Sequence, residues 1–200
     1  MVLKRIGQVA ATLFLAAALT GCIDATVEVE VLSETTARGT LTQVMGADFY
    51  AMMKMNAEES DASSDAFCTE GELTEHADGS ATCTLIEEGT FADISGLGEG
   101  EEAMTFTPAG PGLVRVALPT AEMMGEIGAS EEMDAETRQM VEAFFAGHSV
   151  TIRISGGEIT ETNMTLADDS KSAEMVLPFL DLINGTADLP DELFAIVRAP

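Results

Sequence analysis

The stretch TVEVEVL at residues 26–32 alternates apolar and other side chains from Thr26 through Val31. A period of two puts Val27, Val29 and Val31 on one face and Glu28 and Glu30 on the other, which makes a strand with one wet face. The pattern recurs along the chain, each time beside turn chemistry. ARGTLTQVM (37–45) follows the turn SETT and reads as the hairpin partner of the first strand. CTLIEE (83–88) is a further strand, followed by an apolar-acidic turn, TFADISGL. MTFTP and LVRVALP flank AGPG, a strong turn signal, and predict a second hairpin. HSVTIRIS and EITETNMTL meet at Gly156-Gly157, the clearest signal for a tight hairpin in the chain.

Helices fall between these hairpins. Asp48 is placed to cap a short helix, FYAMMKM, and residues 56–66 form a polar loop without periodicity. GEGEEA reads as a linker, since its glutamates would repel phosphate and its glycines lack the dinucleotide spacing. Ser130 opens the long helix EEMDAETRQMVEAFFA, with acids in its first turn, where the helix dipole favours them, and Gly147 at its stop. Met133, Met140, Val141, Phe144 and Phe145 share a face there. SAEMVLPFLDLI starts as a strand and breaks at Pro178, and LPDELFAIV ends the chain with a turn and a short helix or strand. Hairpins with inserted helices predict an α+β class: a mostly antiparallel β-sheet built from hairpins, with one long and a few short helices packed on it. No internal repeat and no second domain is visible.

The first residues read differently. Lys4 and Arg5 precede the apolar run VAATLFLAAAL, which is too short for a spanning helix of about 20 residues and has the form of a secretory signal. Small residues then lead into a cysteine. Leu19-Thr20-Gly21-Cys22 resembles the lipobox of bacterial lipoproteins. The resemblance implies cleavage after residue 21, a diacylated Cys22 thiol and an acylated new amino end. Residues 1–21 are thus read as signal peptide and 22–200 as a single envelope-exposed domain. Two or three acyl chains make a firm anchor, at about 0.8 kcal/mol per buried methylene. Ile23 follows the cysteine, where an aspartate signals inner-membrane retention in enteric-type bacteria. The expected place is therefore the outer membrane, facing the periplasm.

All 35 acidic residues follow Cys22, and the formal net charge of the whole chain is −26. That excludes nucleic acid as a partner, which needs a basic footprint. It also leaves the acyl chains to hold the membrane without help from charge. The acidity reads either as repulsive surface charge or as cation binding. Cys68 and Cys83 remain after Cys22. In an oxidising compartment they read as a disulfide closing about 16 residues, worth roughly 3 kcal/mol. A metal site would want more ligands, and only His76 is near.

Catalytic signatures are missing: the chain has no G-x-S-x-G, H-E-x-x-H, P-loop or C-x-x-C. His76 lies in the stapled loop, and His148 follows Gly147 as a capping or exposed side chain. Asp61, Ser63, Asp65 and Glu72 have calcium-loop spacing, but Ala66 stands where that loop needs glycine. Met45, Met52, Met53 and Met55 suit an adaptable core or pocket better than copper. Arg38, Arg115 and Arg153 sit inside strands, placed to pair with Glu28, Glu30, Glu158 or Glu161 across them.

A lipobox followed at once by a hairpin, with TTARGTLT at its turn, then a helix and more hairpins, resembles the LppM-type lipoprotein domain. The resemblance implies an envelope-anchored ectodomain with a role in binding lipid or glycolipid. The disulfide loop and the acidity are not part of that pattern. The reading is a membrane-anchored, non-enzymatic envelope lipoprotein that binds a lipid-like ligand or a protein partner, without cofactor, metal or catalytic residues. The alternative is an acidic cation-binding or structural surface lipoprotein.

Overall fold

The computed structural model describes residues 23–59, 67–95, 104–120 and 135–200. The signal segment, Cys22, most of the 56–66 loop, the GEGEEA stretch, the start of the Ser130 helix and Met133 lie outside the described residues.

The opening alternation forms β1 (Ile23–Val31), and the next forms β2 (Thr36–Met45), paired antiparallel from Ile23–Met45 to Val31–Ala37. Helix α1 (Ala47–Glu59) is longer than the seven-residue expectation. Asp48 sits in its first turn rather than at the cap, since the Tyr50 N–H donates to the Gly46 carbonyl. The stapled loop contains a strand that sequence did not announce, β3 (Glu72–Glu75), paired with β4 (Ala81–Thr90). TFADISGL holds the short helix α2 (Phe91–Ser95). The AGPG hairpin is present as β5 (Thr105–Gly110) and β6 (Leu113–Pro119). Then come α3 (Ala135–Phe145), β7 (Ser149–Ser155), β8 (Ile159–Thr162), β9 (Thr165–Leu166) and β10 (Ser172–Pro178). After Pro178 the chain turns into α4 (Phe179–Ile183), and β11 (Glu192–Arg198) is a strand, the second of the two forms expected there.

The strands form two sheets, β3-β4-β2-β1-β7-β10-β9 and β5-β6-β11-β8. Every pairing is antiparallel except β1 with β7, so the α+β class is as expected. The Gly156-Gly157 hairpin is not there. β7 lies in the larger sheet between β1 and β10, whereas β8 pairs with β11 in the smaller one. The two glycines make the corner between sheets. Gly156 has φ +145°, and a Cβ on it would stand 2.8 Å from the Val31 carbonyl oxygen at the end of β1. A Cβ on Gly157 would run into the Arg198 carbonyl at the end of β11.

The main core fills the space between the sheets. Val29, Val31, Ile152 and Ile154 come from one side and Val114, Val116, Leu193 and Val197 from the other. Each such side chain contributes about 1.5–3 kcal/mol on burial. Phe145 of α3 closes this core against Phe179 of α4, ring centroids 5.1 Å apart, and Phe91 of α2 stacks on Phe106 at 4.4 Å. Of the residues expected to line one face of α3, Phe145 is buried and Val141 packs on the core, whereas Phe144 is exposed. A second, smaller core lies under α1, where Met45, Tyr50 and Ala81 pack with Phe49, Met53, Phe67 and Leu73.

On the opposite, wet face of the larger sheet the arginines pair across strands. Arg38 bridges Glu30 at 2.8 Å and Glu88 at 2.9 Å, and Arg153 meets Glu174 at 2.6 Å. In the smaller sheet Arg115 takes Glu192, and Glu158 pairs with Arg198 instead. The arginines pair across strands as expected, but only Arg38 with Glu30 is among the expected pairs. Arg153 takes Glu174, its register partner on β10, and Arg115 reaches Glu192 although Ile196 stands opposite it.

Candidate functional site

Strand β1 begins at Ile23, next in sequence to Cys22, at one end of the larger sheet. Ile23 pairs with Met45, Met45 with Ala81, and Ala81 with Glu75. At about 4.8 Å per strand, Glu75 stands roughly 15 Å from Ile23 along one edge of the sheet. The start of α1, the β3–β4 turn and the start of β7 all lie at this end.

A groove forms there between α1 and the β3–β4 turn, its lining including Ala47, Asp48, Tyr50, Lys54, Glu75 and His76. The Tyr50 hydroxyl and the Lys54 ammonium both donate to Glu75 Oε1, each at 2.7 Å. Tyr50 and Lys54 are four residues apart and so share one helix face, with the ammonium 5.2 Å from the ring centroid. His76 Nε2 and Thr82 Oγ1 are 2.8 Å apart, and Asp78 closes the turn by accepting from the Ser80 N–H and hydroxyl. The carboxylate between Tyr50 and Lys54 makes this a clasp that fixes α1 to the hairpin. The hydrogen bond from Lys54, then that from Tyr50, then the Lys54 charge hold the Glu75 carboxyl below its ordinary range.

That depression gives a pH signature. The stabilisation is fully present above the unfolded pKa of about 4.3 and is lost as pH falls through the lower folded value. The melting-temperature gap between wild type and Glu75→Gln is therefore expected to be open at neutral pH and to close as the solution is acidified below that range. An equal gap throughout would mean that the clasp does not depend on charge.

Across the sheet from the groove, the Asp24 carboxylate accepts from the Ser149 N–H at 2.9 Å, with its other oxygen 3.2 Å from His148 Nδ1. The His148 side chain is thus tied to β1, while its backbone N–H donates to the Phe145 carbonyl at the end of α3 at 3.1 Å. The Asp24–His148 pairing joins residues 124 apart and had no local sequence signal.

The inward face of the larger sheet carries an apolar rank. Ile152, Val27, Leu41 and Leu85 stand side by side on β7, β1, β2 and β4. Ile152 belongs to the main core. Val27, Leu41 and Leu85 are partly buried, and among the described residues neither core takes them in. They form a stripe between the two.

Of the residues singled out from sequence, Cys22 is outside the described residues. Cys68 and Cys83 form a disulfide, Cα atoms 5.5 Å apart, tying the loop before β3 to β4. Gly71 threads past it: a Cβ there would stand 2.9 Å from Cys83 Sγ and 2.8 Å from the Thr84 carbonyl oxygen. Met45 and Met53 belong to the second core, whereas Met52 and Met55 are exposed. Glu72 lies in β3, while Asp61, Ser63 and Asp65 are outside the described residues. Among the described residues no grouping of three or more His, Cys, Asp or Glu is placed to hold a metal ion, and no helix is long and apolar enough to cross a membrane.

No protein-family model matches this chain, and neither does any curated protein. In structure it is similar to the folded domain of LppM from Mycobacterium tuberculosis, determined by NMR, with a TM-score of 0.46 at 9% identity over 90% of this chain and 91% of that one.

Proposed function

We propose that this chain is a lipid-anchored bacterial envelope lipoprotein, held by an acylated Cys22 at the outer membrane on its periplasmic side. Its ectodomain is non-enzymatic and binds an apolar, lipid-like ligand or a protein partner. The anchor reading rests on the lipobox at residues 19–22 behind a charged and then apolar leader.

The binding reading is carried by the stripe of Val27, Leu41 and Leu85. Apolar side chains in the middle of a sheet, between two packed cores, leave contact area that an apolar occupant gains by covering. The methionines of α1 and the second core suit a surface that adjusts to its occupant.

Native mass spectrometry of the Cys22→Ser ectodomain, exported to a periplasm and purified without detergent, tests this. The expected result is an extra non-covalent mass of lipid size, lost on denaturation and lost in Leu41→Glu. A bare ectodomain would remove the tightly held ligand and leave the protein partner as the occupant to seek.

A further inference from the structure

We infer that the end of the domain around Ile23 lies against the lipid bilayer as a second, apolar contact beside the anchor, so that the ectodomain is held in one orientation. This rests on the proposed acylation of Cys22. The strand β1 begins at Ile23, the residue next to Cys22. An acylated Cys22 therefore has no linker, and this end of the fold stands within a few ångströms of the headgroups.

Five of the large apolar side chains exposed among the described residues lie toward the same end, Val44 and Val176 on the wet face of the sheet and Phe144, Met52 and Met55 on the helices. Val44 lies beside Asp24, one residue from the end of β2, and Val176 lies two residues from the end of β10. Phe144 sits in the last turn of α3, four residues before His148. Met52 and Met55 belong to α1, whose Tyr50 and Lys54 reach Glu75 at the sheet end. Met55 is the most open of them, at 66% exposure. Of the seven large hydrophobics exposed among the described residues, only Ile86 and Leu166 stand elsewhere.

Charge chooses the kind of lipid. With a net charge of −26, the chain is repelled by an anionic surface, so the contact is apolar and suits zwitterionic headgroups. The acyl chains raise the effective concentration of surface at these side chains, so contacts too weak to bind membrane alone suffice to set orientation.

The test uses the full chain, matured in bacteria and reconstituted in phosphatidylcholine vesicles. One variant is Met55→Cys, and the control is Glu34→Cys in the β1–β2 turn, about 30 Å away along β1. Each is labelled with an environment-sensitive fluorophore, and intact mass is measured first. An unacylated mass overturns the anchor reading and this inference with it. With acylation present, blue-shifted emission and quenching by a nitroxide lipid at position 55 but not at 34 is the expected outcome. An acylated protein with both labels in water, or both quenched alike, overturns the orientation and leaves the anchor reading standing.

Discussion

Gly157→Ala is expected to destabilise the domain by about 3 kcal/mol, the upper range for forcing an extra methyl into a packed site. At roughly 2–4 °C per kcal/mol, the melting temperature falls by about 6–12 °C. The new Cβ would meet backbone, the Arg198 carbonyl, and not the far end of a flexible side chain. Arg198 cannot withdraw cheaply, because its N–H donates to the Glu158 carbonyl at 2.8 Å and its neighbour Val197 pairs with Ile159. Relief therefore means opening the corner that joins β7 of one sheet to β8 of the other. Differential scanning calorimetry of the purified ectodomain reads the effect directly. A melting temperature within about 2 °C of wild type would mean that the corner yields freely and does not fix the two sheets.

The same corner shows where sequence reading reaches its limit. Two glycines between two alternating strands have the local chemistry of a hairpin turn. Whether those strands pair depends on what each finds elsewhere. Ile152 and Ile154 take Val27 and Val29 as parallel neighbours more than a hundred residues back, and Ile159 takes Val197. Neither choice has a local signal. The alternation in β1 was legible because its outward residues are glutamates, facing Arg38 and Ser155 on a wet face. Strand β3 was not, because Glu72, Thr74 and Glu75 leave only Leu73 to mark it, and an edge strand gains its order from the neighbour it pairs with. Pro178, by contrast, ended β10 where it was expected to, since the residue lacks an N–H to continue either strand or helix bonding.

The site divides the same way. The Cys68–Cys83 link followed from cysteine count and compartment, and the structure contains it. Tyr50 and Lys54 are four residues apart and so were bound to share a helix face, but their common acceptor, Glu75, is 25 residues beyond Tyr50. It arrives only because the β3–β4 hairpin folds back beside α1. Asp24 and His148 meet only through the parallel pairing of β1 with β7. The stripe of Val27, Leu41 and Leu85 needed the sheet order, because alternation assigns each residue to a face without saying what covers that face.

Removing the disulfide by Cys68→Ser with Cys83→Ser is expected to cost about 3 kcal/mol, the loop-entropy value for a link of this span. The loss should fall first on the second core. Cys68 follows Phe67, whose ring meets Tyr50 edge-on at 6.2 Å, and Cys83 follows Ala81 by two residues in β4. The staple thus holds Phe67 over Tyr50 and presses the β3–β4 hairpin on Met45. Tyr50 is the chain's single tyrosine and there is no tryptophan, so tyrosine fluorescence reports on this core alone. Far-UV circular dichroism is dominated by the two sheets. In urea the two signals of the oxidised protein should change together, as one cooperative unit. In the double variant the Tyr50 transition should move to lower urea than the sheet signal, because α1 and the hairpin can then loosen while the main core between the sheets stays packed. Coincident transitions in the variant, with a stability loss below about 1 kcal/mol, would show instead that the Tyr50–Glu75–Lys54 clasp and the Met45–Ala81 contacts hold that core without the staple.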